Sequence, residues 1–301
     1  MQTRVLPCDE RSIAEAAGLI LAGGVVAVPT ETVYGLAADA TNAEAVARIY
    51  EAKGRPSFNP LIVHVPHFAA AEQIGDFNKG ARDLAERHWP GPLTLVVPLR
   101  PTARIASLVT AGLPTIGLRV PAHAGIQGLL RAVGRPLAAP SANSSGSISP
   151  TRADHVLKSL GGRIPLIIDA GQTERGLEST IVGATDAALR LLRPGPIEID
   201  AAAGTGKKIE APGQLASHYA PSKPLRLGAL SAEQDEYLIG FGNIPGDVSL
   251  SLSGDLVEAA ARLFDLLHQA DASPKPRIAV APVPENGLGM AINDRLRRAA
   301  A

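Results

Sequence analysis

The sequence predicts an α/β fold in two domains, and three observations support this prediction. The chain has 301 residues, which exceeds the usual size of a single domain. Hydrophobic residues make up 46% of it and charged residues 19%, a balance typical of a folded globular protein. Strand and helix patterns also alternate along the first two thirds of the chain, as they do in α/β proteins.

Hydrophobic periodicity locates the elements of this first part. Residues 9–22 place apolar side chains on one helical stripe, which Gly23-Gly24 ends. A strand at 25–29 is followed by a loop at 30–40 and by a helix at 42–53 that starts at a capping asparagine. The other predicted elements are a helix at 78–88 and strands at 61–65, 93–99, 115–120, 137–139, 166–169, 180–182 and 189–192.

The character of the sequence changes after residue 200. Residues 201–224 are rich in Gly, Pro, Lys, Ser and Ala without periodicity, which is typical of a linker. Beyond it we predict a strand at 237–241, a helix from 253, a strand at 277–281 and a last helix from 290, a small three-layer α/β unit. The predicted domains are therefore 1–200 and 225–301, joined by the linker 201–224.

Composition excludes several classes of protein. The 29 Lys and Arg residues balance the 29 Asp and Glu residues, so binding of nucleic acid by bulk electrostatics is excluded and any RNA contact would be local. Cys8 is the single cysteine and cannot form an internal disulfide. The early apolar run at 18–29 is too short to span a bilayer and follows acidic residues. We expect a cytoplasmic protein with no membrane span.

One stretch imitates a phosphate-binding loop without meeting its requirements. Gly204-Thr205-Gly206-Lys207-Lys208 contains a Gly-Lys pair, but a P-loop requires a glycine at position 201 and a serine or threonine at position 208. The chain has Ala201 and Lys208 there. We do not predict phosphate binding at this stretch.

Two predicted strands carry polar side chains on one face. At 61–65, His64 and Ile62 point away from the apolar side chains of the other face, because side chains alternate along a strand. At 115–120, Thr115 and Arg119 likewise share the face opposite the apolar one. Either strand taken alone is also compatible with an ordinary half-solvated sheet.

Polar loops after the strands favour a binding site. Residues 29–35 and 140–146 concentrate hydroxyl and amide side chains directly after apolar strands, where α/β folds place ligand contacts. Lys53, Arg55 and Asn59 lie in a loop broken by prolines, and Arg193 follows another strand. Each loop alone could be a solvated turn. Together they suggest one ligand with several phosphates and a second ligand with its own carboxylate.

These residues carry a resemblance to a known family. The chain resembles the threonylcarbamoyl-AMP synthases in their longer form, in which a YrdC-like domain with a twisted mixed sheet and flanking helices is followed by a linker and a small Rossmann-like C-terminal domain. The matching strings are PTETVYGLAADA at 29–40, IYEAKGRPSFNPLIVHV at 49–65, HWPGPLTLV at 88–96, LRVPAH at 118–123, APSANSSG at 139–146, LESTIV at 177–182, LRPGPI at 192–197 and HYAP at 218–221.

The resemblance implies a reaction. L-threonine, bicarbonate or CO2, and ATP would give L-threonylcarbamoyl-AMP and pyrophosphate, for N6-threonylcarbamoyladenosine modification of tRNA by a downstream threonylcarbamoyl transferase. Positioning two anions against each other is the main task, so cationic side chains and Mg2+ on the ATP phosphates are expected to dominate over any general base. No metal-ligating side chain is expected.

The resemblance also implies roles for single residues. Lys53 and Arg55 would be catalytic and, with Asn59, would contact the triphosphate. Arg119 would pair with the carboxylate of threonine, a contact worth ~1.5 to 3 kcal/mol. The rest of the ATP site would be Thr115, Ser141, Asn143, Ser149, Arg193 and Tyr219, and the rest of the threonine site would be Thr32, His64 and Ser179.

Three alternatives stay open at this point. Tyr219 could close the active site as a lid or could only dock the linker. The whole chain could be a non-catalytic module that binds double-stranded RNA or tRNA, although zero net charge and 3% aromatic residues speak against it. It could also act on another carbamoyl donor, as hydrogenase maturation proteins do, but those carry a zinc finger that one cysteine excludes.

Overall fold

The computed structural model describes residues 2–186, 188–204, 210–214 and 216–301, and these residues form two sheets. The larger sheet consists of β1 (Arg4–Pro7), β2 (Val26–Val28), β3 (Gly35–Asp39), β4 (Ile62–His64), β5 (Leu93–Pro98), β6 (Thr115–Arg119), β7 (Leu137–Ala138), β8 (Leu166–Asp169), β9 (Thr180–Gly183), β10 (Arg190–Arg193) and β11 (Ala202–Ala203). The helices of this part are α1 (Glu10–Leu21), α2 (Ala43–Lys53), α3 (Phe68–Glu72), α4 (Lys79–His88), α5 (Ser107–Thr110), α6 (Ala124–Val133) and α7 (Ala153–Leu160).

The larger sheet is mixed and is covered on both faces. Its strand order is β1-β8-β2-β3-β7-β4-β6-β5-β9-β10-β11, with parallel pairs such as β4 and β6 beside antiparallel ones such as β5 and β6. Ile49 of α2 and Leu84 of α4 pack in the hydrophobic core on one face. Ile20 of α1 and Leu129 of α6 pack in the core on the other. The α/β prediction is confirmed.

Capping residues set the helix boundaries that the sequence predicted. The side chains of Asp9, Asn42 and Asn78 accept hydrogen bonds from backbone N–H groups in the first turns of α1, α2 and α4. Gly54 ends α2 in the left-handed conformation, with φ of 60°. Lys53 is therefore the last residue of a helix, and Arg55 begins the loop that follows.

The predicted loop at 30–40 is wrong over its second half. Gly35–Asp39 forms the strand β3, which pairs antiparallel with β2 on one side and with β7 on the other. All five of its residues are buried, so the sequence Gly-Leu-Ala-Ala-Asp lacks the apolar and polar alternation that marks a half-exposed strand. The true loop is the shorter segment 29–34.

The C-terminal part is a smaller parallel unit. Its strands are β12 (Leu225–Leu227), β13 (Glu236–Gly240), β14 (Val248–Ser249) and β15 (Arg277–Val280), in the order β12-β15-β13-β14, and its helices are α8 (Leu256–Ala272) and α9 (Leu288–Ala299). The helix predicted from 253 starts at Leu256, because Asp255 caps it by accepting from the N–H of Glu258 at 2.7 Å.

The linker and the two parts of the chain are in contact. His155 of α7 stacks on His268 of α8, with ring centroids 3.8 Å apart, and His268 Nε2 lies 3.1 Å from the carbonyl oxygen of Ser149. The linker predicted at 201–224 contains the short strand β11. Residues 205–209 and 215 of this linker lie outside the described residues, and so does most of the P-loop-like stretch at 204–208. None of the described helices is both long and apolar enough to cross a membrane.

Two glycine substitutions should change the stability in opposite directions. A Cβ added at Gly75 would overlap the buried side chain of Val97 and lie 2.8 Å from Leu118 Cδ1, whereas one added at Gly18, inside α1, would meet nothing. We expect Gly75→Ala to lower the free energy of unfolding by about 1–3 kcal/mol and Gly18→Ala to raise it by about 0.5–1 kcal/mol. Guanidinium denaturation followed by fluorescence of the single tryptophan, Trp89, measures both. A free energy of unfolding for Gly75→Ala equal to that of the unchanged protein would contradict the packing described here.

Acid should loosen the contact between the two parts. Burial lowers the pKa of His268 to about 4, and burial together with the neighbouring His268 lowers the pKa of His155 to about 3. At pH values between these folded-state pKa values and 6.5, the two histidines bind protons in the unfolded chain but not in the folded one. The free energy of unfolding therefore falls as the pH drops through this window. Each histidine contributes up to about 1.4 kcal/mol per pH unit. Denaturation between pH 7 and 4.5 should show a shallower fall for His268→Gln than for the unchanged protein; equal slopes would refute the assignment.

Candidate active site

A small cavity lies where several strands of the larger sheet end. The space open to water-sized molecules is about 50 Å³. Strands β4, β6 and β10, the loops after β2 and β7, the segment before β9, Arg55 and the linker supply most of the residues that surround it. The predicted site residues that line it are Thr32, Arg55, His64, Arg119, Ser141, Ser179, Arg193 and Tyr219.

The pairing of β4 with β6 brings two of these side chains together. The strands are parallel, and His64 lies opposite Arg119 in the register. Ile62 also lines the cavity, whereas Leu61, Val63 and Val65 belong to the apolar core on the other face. The alternation predicted for 61–65 therefore has the orientation that the sequence suggested.

Arg119 is held by protein groups on three sides. Its Nη2 donates to Glu31 Oε1 at 2.6 Å, its Nη1 to Thr32 Oγ1 at 3.0 Å and its Nε to the carbonyl oxygen of Gly91 at 3.2 Å. Burial alone would raise the pKa of Glu31. The charge of Arg119 and the hydrogen bond from it lower this pKa by a larger amount, so the net shift is downward. Glu31 is thus an ionised carboxylate, and sequence reasoning missed it although it lies inside the matching string at 29–40.

His64 is a neutral imidazole with free hydrogen-bonding capacity. It is buried, and its Nδ1 has no partner among the described residues. Burial, followed by the positive charge of Arg119, lowers the pKa of His64 to about 3. A ligand that fills the cavity could satisfy this nitrogen.

Three buried cations lie on another side of the site. Lys53 Nζ donates to the carbonyl oxygens of Ser141 and Asn143, and burial lowers the Lys53 pKa well below its ordinary value. Arg55 donates from Nε and Nη2 to carbonyl oxygens in its own loop, at 3.1 and 2.8 Å. Arg193 donates from Nε and Nη2 to the carbonyl oxygen of Ser179, at 3.1 and 2.9 Å. Carbonyl groups carry no net charge, so these contacts orient the cations without neutralising them.

Two buried asparagines have unused polar atoms. Neither Oδ1 nor Nδ2 of Asn59 has a hydrogen-bond partner among the described residues, and the same holds for Oδ1 of Asn143. Asn143 Nδ2 donates to the carbonyl oxygen of Ser147 at 2.8 Å. Buried amides are nearly always paired, so unpaired ones beside a cluster of cations are consistent with a ligand site.

Five predicted ATP contacts do not line the cavity itself, namely Lys53, Asn59, Thr115, Asn143 and Ser149. Thr115 borders a separate small cavity with Glu210 and Pro212 of the linker. Ser149 is fully buried and donates from its hydroxyl to Glu178 Oε1. Glu178 itself lines the cavity, so Ser149 reaches the site through it, whereas Thr115 is not brought to it.

The linker fills part of the cavity. Tyr219 is 1% exposed and adopts a left-handed backbone conformation with φ of 66°, and its hydroxyl has no partner among the described residues. Its ring packs on Phe264 of α8, with centroids 5.6 Å apart. Gly213 must be a glycine, because its φ is 82° and an added Cβ would lie 2.7 Å from Tyr219 Oη. Burial lowers the pKa of the adjacent His218 to about 3, so this cavity residue, which sequence reasoning assigned no role, is also neutral.

The C-terminal part supplies one further side chain. Arg295 of α9 is fully buried, and its Nε donates to Glu178 Oε2 at 2.9 Å. Sequence reasoning missed both residues of this pair. Glu178 had a signal in the matching string at 177–182, whereas Arg295 lies in an ordinary helical segment more than a hundred residues away.

Comparison with known proteins agrees along nearly the whole chain. Residues 18–195 match the family model described as Telomere recombination, and residues 178–301 match the one described as Threonylcarbamoyl-AMP synthase, C-terminal domain. The chain is 40% identical to the threonylcarbamoyl-AMP synthase of Bacillus subtilis, in an alignment that covers 99% of this chain and 95% of the relative. It is also 40% identical to that of Pyrococcus abyssi, over 97% of this chain and 94% of the relative.

A solved structure shows the same fold. The crystal structure of P. abyssi Sua5 complexed with L-threonine superposes with a TM-score of 0.91 at 37% identity, covering 99% of this chain and 98% of that one. The agreement extends through both the larger mixed sheet and the parallel C-terminal sheet. The chain therefore belongs to the threonylcarbamoyl-AMP synthase family, in its long form with a YrdC-like domain and a C-terminal domain.

Proposed function

We propose that this protein is a nucleotidyltransferase that forms L-threonylcarbamoyl-AMP and pyrophosphate from L-threonine, bicarbonate or CO2, and ATP. One observation carries the proposal. The buried cations Arg55 and Arg193 line one cavity together with His64 and Arg119. Lys53 lies behind its wall and donates to the backbone of Ser141, which lines it. A polyanion and an amino acid can therefore be held against each other.

The chemistry requires little acid or base catalysis. The neutral amine of threonine attacks CO2 and loses a proton, which gives a carbamate. A carbamate oxygen then attacks the α-phosphorus of ATP, and the bond to pyrophosphate breaks. Because both reactants are anions, the cations lower the barrier by reducing their repulsion and fixing their geometry. Mg2+ would enter with the substrate as MgATP and neutralise phosphate charge.

The remaining donors of Arg119 suit a carboxylate. A guanidinium has five N–H groups, and three of those of Arg119 are used by Glu31, Thr32 and Gly91. One N–H is left on each terminal nitrogen, which matches a bidentate contact with the carboxylate of threonine. His64 and the hydroxyls of Thr32 and Ser179 would complete the amino-acid pocket.

The linker must move for ATP to bind. Ligand pockets usually measure roughly 300–1,000 Å³, whereas the space left beside Tyr219 is about 50 Å³. We propose that the linker withdraws to admit ATP and returns to exclude water from the reactive mixed anhydride. The other possibility, that Tyr219 only docks the linker, leaves the entry of ATP unexplained.

The burial of the cations speaks against the RNA-binding alternative. Lys53, Arg55 and Arg193 are 3%, 8% and 4% exposed, so the backbone of a duplex cannot reach them. Any tRNA contact would use other residues. We propose instead that the protein acts in the cytoplasm and passes its product to a tRNA-modifying threonylcarbamoyl transferase.

Release of pyrophosphate tests the activity. With MgATP, the purified protein should release pyrophosphate only when threonine and bicarbonate are both present, because the attacking carbamate forms from both. Omission of each in turn, followed by a coupled pyrophosphate assay, makes the measurement. Release without threonine would indicate a different acceptor, and ATP binding without any release would refute the proposed reaction.

Arg119→Ala should separate the two substrates. Loss of the charge-assisted pair should raise KM for threonine roughly 10- to 100-fold, while the dissociation constant for ATP should change little because the triphosphate cations remain in place. Steady-state kinetics and titration calorimetry with ATP provide the two values. Equal losses for threonine and ATP would remove Arg119 from the amino-acid pocket.

A further inference from the structure

The C-terminal helix α9 inserts a charged side chain beside the active site. Arg295 is among the largest side chains of the described residues that are completely buried. Its Nη1 donates to the carbonyl oxygen of Pro194 at 2.9 Å and to Asp294 Oδ2 at 2.8 Å, and its Nε donates to Glu178 Oε2 at 2.9 Å. Glu178 lines the cavity, and Pro194 directly follows Arg193. These contacts connect α9 to the wall of the site.

The same side chain also contacts the linker. The guanidinium carbon of Arg295 lies 5.3 Å from the centre of the Tyr219 ring, within the range of a cation–π interaction. The N–H of His218 donates to the carbonyl oxygen of Arg298 on the same helix at 3.0 Å. The docked position of the linker thus depends on α9.

Glu178 connects Arg295 to the predicted nucleotide site. One of its oxygens accepts from the Ser149 hydroxyl and the other from Arg295. His268 of the C-terminal part lies at hydrogen-bond distance from the backbone oxygen of Ser149, so the C-terminal part contacts Ser149 directly and, through Arg295, also holds the carboxylate that accepts from its hydroxyl. Removing Arg295 would leave a buried carboxylate with the Ser149 hydroxyl as its remaining hydrogen-bond donor and Arg193 as the nearby positive charge.

The charge of Glu178 would then act on Arg193. The two side chains interact electrostatically, and Arg295 is the stronger partner of Glu178. While Arg295 balances the carboxylate, the positive charge of Arg193 stays available for phosphates. Without it, Glu178 would neutralise Arg193 and repel the triphosphate. The effect would fall on ATP and not on threonine, whose predicted contacts centre on Arg119.

We propose that Arg295 is a positioning residue of the active site, supplied by the C-terminal part, which fixes and electrically balances Glu178 so that Arg193, Ser149 and Tyr219 can receive ATP. The proposal rests on the proposed function for the identity of the nucleotide. It gives the C-terminal part a defined task in ATP binding.

Three variants and a matched control test the proposal in the full-length protein. Arg295→Met removes the charge, Arg295→Lys retains it, and Arg295→Met combined with Glu178→Gln removes both charges. The control is Arg297→Met on the same helix, whose side chain is 57% exposed and pairs with exposed Glu285. The readouts are KM for ATP, KM for threonine, kcat and the dissociation constant of MgATP by calorimetry.

Arg295→Met should raise KM and the dissociation constant for ATP about tenfold, with KM for threonine changed less than about threefold. Arg295→Lys and the double variant should each recover part of the loss, because one restores a positive charge and the other removes the unbalanced carboxylate. Arg297→Met should behave like the unchanged protein. The decisive result is a loss confined to ATP together with recovery in the double variant, since a purely structural ion pair would recover in the double variant but would affect ATP and threonine alike.

Several results would overturn the proposal. They are unchanged ATP binding in Arg295→Met, equal losses for ATP and threonine, no recovery in the double variant, and loss of tertiary structure in both single variants by near-UV circular dichroism. If the unchanged protein bound MgATP but released no threonine-dependent pyrophosphate, the proposed function would fail. The calorimetric comparison would still decide the role of Arg295.

Discussion

The cost of burying charge is the constraint on which the rest of the structure depends. Lys53, Arg55, Arg119 and Arg193 are each 3–8% exposed, and an unpaired charge in such a setting costs several kcal/mol. Backbone carbonyl oxygens offset part of this cost by accepting hydrogen bonds from Lys53, Arg55 and Arg193. The only one of the four with a salt bridge among the described contacts is Arg119, to Glu31. The three cations without that compensation are those assigned to phosphates, whereas the paired one is assigned to a single carboxylate.

The fold brings these groups together through strand ends and through the C-terminal part. Parallel pairing of β4 and β6 sets His64 beside Arg119, and the left-handed Gly54 turns the chain after Lys53 so that Arg55 faces the cavity. The small parallel sheet contributes no strand to this arrangement. It acts through two helices, whose side chains His268 and Arg295 contact residues at the cavity.

Local patterns in the sequence predicted the features that neighbouring residues determine, namely helix boundaries and the face on which a strand side chain lies. An apolar stripe located α1, the capping Asn42 located the start of α2, and alternation in 61–65 gave the face of His64. The strand β3 was missed because both of its faces are buried, and α6 was not anticipated because the residue that caps it, His123, is an uncommon capping residue. The pairing of Glu178 with Arg295 joins residues 117 apart in the chain, and no local pattern carries that information. The same limit applies to Thr115, whose place on its strand does not reveal that its strand end opens on a different cavity.

The docked linker combines favourable packing with a local backbone cost, and this balance suits the proposed exchange with ATP. The ring of Tyr219 is buried against Phe264 and beneath Arg295, which stabilises the closed position. Against this stands a non-glycine φ of 66°, which costs about 1–3 kcal/mol. A segment that is held by packing but strained at its key residue needs only a modest binding free energy to be displaced. Because the triphosphate would bring that energy to Lys53, Arg55 and Arg193, arrival of ATP and departure of Tyr219 from the cavity are expected to be coupled.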